Sequence, residues 1–309
     1  MMVKPIIKKI LRKLPYLKDI FAKADQRDIL MKALFVPPGH FYSPIPSLEE
    51  IKLNEAKIFD IFPQEIPGIN LQQQEQLNLL NIFQAYYDEQ PFKQQKTEGL
   101  RYYFENDYYS YSDGIFLYCM MRYAQPQKII EIGSGFSSCV MLDTNELFLD
   151  KKVSCTFIEP YPERLLSLVG DEEGNNYTLI KQKLQDIDLQ FFQQLSNNDI
   201  LFIDSTHVAK TNSDVNYIFF EILPSLKSGV LIHIHDIFYP FEYPKSWIIQ
   251  EKRAWNEVYM LRAFLQYNNN FKIELFNNFL TLFFADFFQE KMPLCQKNTG
   301  GSIWLRKIQ

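Results

Sequence analysis

Two glycines, Gly133 and Gly135, stand within three residues of each other in a 309-residue chain that contains only 11 glycines. They sit in the run Glu131-Ile-Gly133-Ser134-Gly135-Phe-Ser137-Ser138. Glycines let a backbone turn sharply and approach a ligand, and a helix opening just behind them offers free N–H groups. A G-x-G-x-x-G reading would make this a dinucleotide loop, but the third position is Ser138. A carboxylate at Glu131 would repel a pyrophosphate, and it suits a ligand with a cationic amino or sulfonium group. Glu159 follows 24 residues after Gly135; there it could accept two hydrogen bonds from a ribose diol or simply be a solvated acid. In Lys183-Leu184-Gln-Asp186, Leu184 could grip an adenine and Asp186 could bond it. Asp204-Ser-Thr-His207 and His233-Ile-His235-Asp236 supply two aspartates able to hold a hard divalent cation through oxygen. His207, three residues past the first, could act as a general base. The plainer reading makes Asp204 a helix cap, His207 a surface residue and His233 a core histidine.

Each of these groups ends or follows a short apolar run. Lys128–Ile132, Val153–Glu159, Tyr177–Gln182, Asp199–Asp204 and Gly229–His235 are β-branched and nearly continuous in apolar residues, with helical patterns between them. Buried strands alternating with helices mean βαβ units and a parallel sheet covered on both faces. In such sheets ligands sit at the carboxyl ends of the strands, which is where the acids, glycines and histidines fall. Phe271–Phe276 and Ser302–Lys307 are two further strands, and Trp247–Tyr267 reads as one amphipathic helix. Phe238–Ser246, with two prolines and four aromatics, reads as a lid or substrate wall. Residues 1–98 form a mainly helical N-terminal extension, interrupted by the proline-rich stretch Phe35–Pro46, and residues 99–309 form the main domain.

Composition limits the partners. The net charge of −5, from 32 basic and 37 acidic residues, gives no bulk field for nucleic acid. No apolar run is long enough to span a membrane. Residues 1–18 are basic, with Ile6, Ile10, Leu14 and Leu17 at helical spacing; this segment is either a solvated helix or a weak membrane-surface contact. The four cysteines lack C-x-x-C spacing and read as reduced, buried thiols of a cytoplasmic protein.

The ordered runs EIGSGFSS, FIEPYPERL, DILFIDSTHV and GVLIHIHDIFYPFEYP resemble the class I S-adenosylmethionine-dependent methyltransferases over about residues 100–309. The resemblance implies an α/β, Rossmann-like, doubly wound seven-stranded sheet whose last strand, Ser302–Lys307, inserts antiparallel between the fifth and sixth. It implies that Glu131, Gly133, Ser134, Gly135 and Ser137 hold the methionine part of the cofactor and Glu159 the ribose, with Asp186 and Asp204 completing the cofactor set. Ser137 replaces a glycine common in that loop. Asp204-x-x-His207 with Asp236 is similar to metal-dependent O-methyltransferases acting on sugars attached to natural products. In those, His207 would deprotonate a hydroxyl while Asp204 and Asp236 bound Mg2+. Two departures concern that metal: Ile237 stands where catechol-type enzymes have Asn, and His235 where the sugar enzymes have an acid.

The leading expectation is therefore methyl transfer to a small-molecule hydroxyl, on a sugar or glycosylated metabolite, with acceptor identity and oligomeric state left open. The alternatives are a catalytically inactive cofactor-binding interaction module and a nicotinamide-dependent dehydrogenase, the latter disfavoured by Glu131 and Ser138.

Overall fold

The computed structural model describes Lys23, Lys32, residues 34–170 and residues 176–309. The basic segment 1–18 lies outside the described residues. Among those described, no helix is long and apolar enough to cross a membrane.

All seven expected strands form, because each is a short apolar run bounded by breakers. They are β1 (Lys128–Ile132), β2 (Ser154–Ile158), β3 (Tyr177–Ile180), β4 (Ile200–Ile203), β5 (Leu231–His235), β6 (Phe271–Phe276) and β7 (Ser302–Lys307). Their order in the sheet is β3-β2-β1-β4-β5-β7-β6. Strands β1 to β5 pair in parallel, and β7 pairs antiparallel with both β5 and β6. This is the inserted antiparallel last strand that the family resemblance implied. Strand order reverses between β1 and β4, so the crevice of an open α/β sheet falls at their carboxyl ends.

The helices framing this sheet are α1 (Gln73–Glu89), α2 (Ser112–Ala124), α3 (Phe136–Phe148), α4 (Glu163–Val169), α5 (Asp214–Tyr217), α6 (Glu257–Leu265), α7 (Asn277–Phe283) and α8 (Ala285–Lys291). A π turn, Ile218–Ile222, continues α5. Every residue of β4 and β5 is buried, as expected for central strands covered on both faces. Register places Glu131, Phe202, His233 and Trp304 in one row across β1, β4, β5 and β7. His233 stacks on Phe202 at 4.0 Å and meets Trp304 edge-on at 4.7 Å, so it is a core histidine. All four cysteines are free and buried.

The chain divides into two compact units: residues up to Asp60 together with Ser246–Ala254, and Ile61–Lys245 together with Trp255–Gln309. This division falls at 60/61, inside the stretch read as the N-terminal extension 1–98. The reason is α1, whose Leu79, Leu80 and Phe83 are buried. Gln76 Oε1 of the same helix accepts the Phe276 N–H at 2.7 Å at the end of β6. The first unit contains the short helices Leu48–Leu53 and Glu55–Phe59, and Phe35–Pro46 has neither helix nor strand, as its prolines require. The single helix expected over 247–267 is corrected. It is broken between Lys245–Ile249 and α6, with Lys252 at φ +60° in the gap.

Candidate active site at the carboxyl ends of β1, β4 and β5

Gly133 turns the chain out of β1 at φ +76°. A Cβ added there would lie 2.1 Å from the Asp204 carbonyl oxygen, so glycine is the residue this approach of β1 to β4 permits. Gly135 is different, since a Cβ there would meet only the Arg164 side chain, at 3.6 Å. Ser138, the residue that breaks the dinucleotide pattern, has a structural task. Its hydroxyl accepts the Gly135 N–H at 3.1 Å and donates to Glu131. Ser137 donates to the other Glu131 oxygen. Glu131 is fully buried. Burial pushes its pKa up to about 8, even though the Ser137 and Ser138 hydroxyls pull it down. Glu131 thus ties the loop to the end of β1 through the two serines.

Glu159, just past β2, accepts the Tyr161 N–H at 2.8 Å and the Ser134 N–H at 3.3 Å. Each oxygen therefore keeps a second acceptor position for a ligand. Between the strand ends lies a cavity of about 390 Å³ lined by Gly133, Ile158–Tyr161, Lys183–Gln185, Asp204–Thr206, Lys210 and Asn212–Asp214. This is within the usual range for a small-molecule site. Leu184 lines it as expected, but Asp186 does not and is exposed. The turn Leu184–Asp186 is a single 3-10 turn, which points residues two apart to different sides.

Beside the cavity stands an acid–base cluster. His207 Nε2 lies 3.3 Å from Asp204 Oδ1 and 3.5 Å from Asp236 Oδ2, while Nδ1 lies 2.8 Å from Glu257 Oε2. Asp236 Oδ1 in turn faces His235 Nε2 at 3.5 Å. His207 is 5% exposed and sits at φ +59°, a conformation that L side chains adopt only when their surroundings impose it. The Trp255 ring packs against it at 4.2 Å. Burial acts to lower the His207 pKa, but the hydrogen bonds to Asp204 and Glu257 and the Asp236 charge outweigh it and push the value up to about 10. Burial likewise acts to raise Asp204, yet the His207 hydrogen bond and the His235 charge hold it below the ordinary carboxylate range. Asp236 stays above that range because burial dominates. The sequence offers Arg253, Asn256 and Glu257 as residues that could face the cleft or be solvated, but the pairing of Glu257 with His207 spans 50 positions and no local pattern reveals it.

Asp204, His207 and Asp236 each offer one ligand atom, all within 4.8 Å of one another, which is the donor set a divalent cation would use. The Phe238–Ser246 segment packs its aromatics inward. Tyr239, Phe241 and Tyr243 are each at most 2% exposed. The Tyr239 hydroxyl donates to the Pro63 carbonyl, and the Val258 N–H donates to the Tyr243 hydroxyl at 3.3 Å.

Residues 130–237 match the family model described as a methyltransferase domain. An uncharacterized protein of Archaeoglobus fulgidus is 39% identical over 167 residues, covering 53% of this chain and 75% of the relative. Among solved structures, the chain is similar to the S-adenosylhomocysteine-bound methyltransferase PaMTH1 of Podospora anserina (TM-score 0.43, 14% identity, 79% of this chain and 99% of that one). It is also similar to the O-methyltransferase TomG of Streptomyces achromogenes in complex with S-adenosylmethionine (TM-score 0.43, 12% identity, 84% and 96%).

Proposed function

We propose, from the match of residues 130–237 to a methyltransferase-domain model on a Rossmann-like sheet with an inserted antiparallel last strand, that the chain is a class I S-adenosylmethionine-dependent methyltransferase and that it methylates a hydroxyl of a small-molecule acceptor such as a sugar or glycosylated metabolite. One observation carries this reading: Asp204 lines the nucleoside-sized cavity and also bonds His207 at 3.3 Å, so cofactor space and acid–base cluster share a wall. The residues present fit the cofactor. Glu159 has acceptor positions for a ribose diol, Leu184 offers an apolar surface for the base, and the Gly133–Gly135 backbone leaves room for the methionine end.

When bound, S-adenosylmethionine supplies a methyl group already activated on a sulfonium, so the protein's task is positioning and proton removal. His207 takes the acceptor proton at Nε2, the nitrogen facing Asp204 and Asp236. Those two carboxylates stabilise the imidazolium that results. Because His207 already holds a proton in the resting protein, that proton must leave before each turnover.

A second reading uses Mg2+, and it rests on the clustering of Asp204, His207 and Asp236. In that form the two aspartates would hold the cation and the cation would lower the pKa of the acceptor hydroxyl.

The test has three arms. Calorimetric titration with S-adenosylhomocysteine should give binding. Labelled S-adenosylmethionine should label hydroxyl compounds in a panel of glycosides, catechols and amines, and His207→Gln should abolish labelling while binding persists. Restored labelling on adding magnesium after EDTA would select the metal-dependent form. Binding without labelling of any acceptor would favour an interaction module, and labelling confined to amines would overturn hydroxyl methylation.

A further inference from the structure

The loop that carries His207 is clamped by the start of α6. The His207 carbonyl accepts the Asn256 N–H at 3.1 Å and the Glu257 N–H at 3.2 Å. Asn256 also pairs with Ala209 in both directions: its Oδ1 accepts the Ala209 N–H at 2.6 Å and its Nδ2 donates to the Ala209 carbonyl at 3.3 Å. Ser205 closes the ring. Its hydroxyl accepts the His207 N–H at 2.9 Å and donates to the Glu257 carboxylate, with both oxygens at 3.0 Å. Glu257 is fully buried at the first position of α6, where a helix start favours a negative charge.

A carboxylate is an acceptor, so its 2.8 Å contact with Nδ1 is made by a proton on that nitrogen. We infer that Glu257 is a positioning residue for His207: by accepting the Nδ1 hydrogen bond it holds the imidazole so that Nε2 faces Asp204 and Asp236. Asn256 and Ser205 fix the ring and its left-handed backbone in that orientation. The inference rests on the reading of His207 as the base. It adds a residue that does not line the cavity between the strand ends and acts through the histidine.

The arrangement is tested on the full chain with S-adenosylhomocysteine bound. Nitrogen-resolved proton spectra should show a slowly exchanging, downfield Nδ1 proton, assigned by its loss in His207→Gln. Glu257→Ala should remove that resonance. Glu257→Gln, which keeps shape and one acceptor oxygen, should retain it but move it upfield. On the best acceptor of the panel, Glu257→Ala should lose at least about tenfold in kcat, with KM for S-adenosylmethionine within about twofold. Glu257→Gln should restore part of that loss, and His207→Gln/Glu257→Gln should be no worse than His207→Gln alone. A wild-type protein without the protected proton, or a Glu257→Gln resonance at the wild-type position, overturns the inference. Full activity in His207→Gln would sink the base reading instead, and the proton spectra would still decide the hydrogen bond.

Discussion

Raising pH should strip a proton from His207 at a cost the structure lets one gauge. Its pKa is pushed from 6.5 to about 10 by the hydrogen bonds to Asp204 and Glu257 and by the Asp236 charge, against the opposing effect of burial. At about 1.4 kcal/mol for each tenfold change in proton affinity, the gap amounts to roughly 5 kcal/mol. The aspartates share these interactions, so they are counted once. A folded pKa above the unfolded one means the contribution is complete below about 6.5 and is lost as pH rises through about 10. At pH 7 about one molecule in a thousand then holds His207 as free base, so methyl transfer should climb about tenfold per pH unit until near 10. Two measurements check this with EDTA present. Proton NMR of the histidine rings should show one midpoint near 10, absent in His207→Gln. Melting curves of wild type and His207→Gln should diverge below pH 8 and converge toward pH 10. A His207 ring titrating near 6.5, or two proteins whose melting temperatures fall in parallel from pH 6 to 10, would refute the reasoning.

Three further outcomes follow from other residues. Gly133→Ala combines a left-handed backbone with a Cβ placed 2.1 Å from the Asp204 carbonyl. It should cost at least about 1–2 kcal/mol in denaturant unfolding and abolish calorimetric S-adenosylhomocysteine binding. Glu159→Ala removes the proposed ribose acceptor and should weaken that binding about 10- to 100-fold with little change in melting temperature; unchanged affinity would exclude the role. Asp143 is 1% exposed and takes the Arg101 N–H, the Tyr102 N–H and the Arg101 guanidinium, each at 2.9 Å. Asp143→Ala should therefore destabilise the protein by roughly 3 kcal/mol through the buried groups left unpaired, read by chemical denaturation.

Much of the sheet was legible because its information is local. β1, β6 and β7 match their expected ranges residue for residue, and the others differ only at their ends. Gly133 was legible for the same reason, since only a glycine suits a turn so close to a neighbouring strand. What local text could not convey is partnership across distance. The 247–267 region carries an apolar period, yet its helix breaks where Asn256 and Ala209 pair across 47 positions. Glu131 reads as a ligand acid by position, but that the two serines of its own loop donate to both its oxygens was not legible. Residues 61–98 look like an extension in sequence, but Gln76 bonds Phe276 200 positions away, and that contact assigns them to the main unit.

The insertion of β7 between β5 and β6 has a consequence for synthesis. β5 and β6 both emerge from the ribosome before Ser302–Lys307; until that strand arrives β6 has no sheet neighbour and β5 is paired only on its β4 side. During that interval the apolar edge of β5, including Ile232 and Ile234, stands open, which is the condition under which nascent chains pair with one another or recruit chaperones. A product lacking Ser302–Lys307 would leave five parallel strands with the outer margin of β5 open to pairing with other chains.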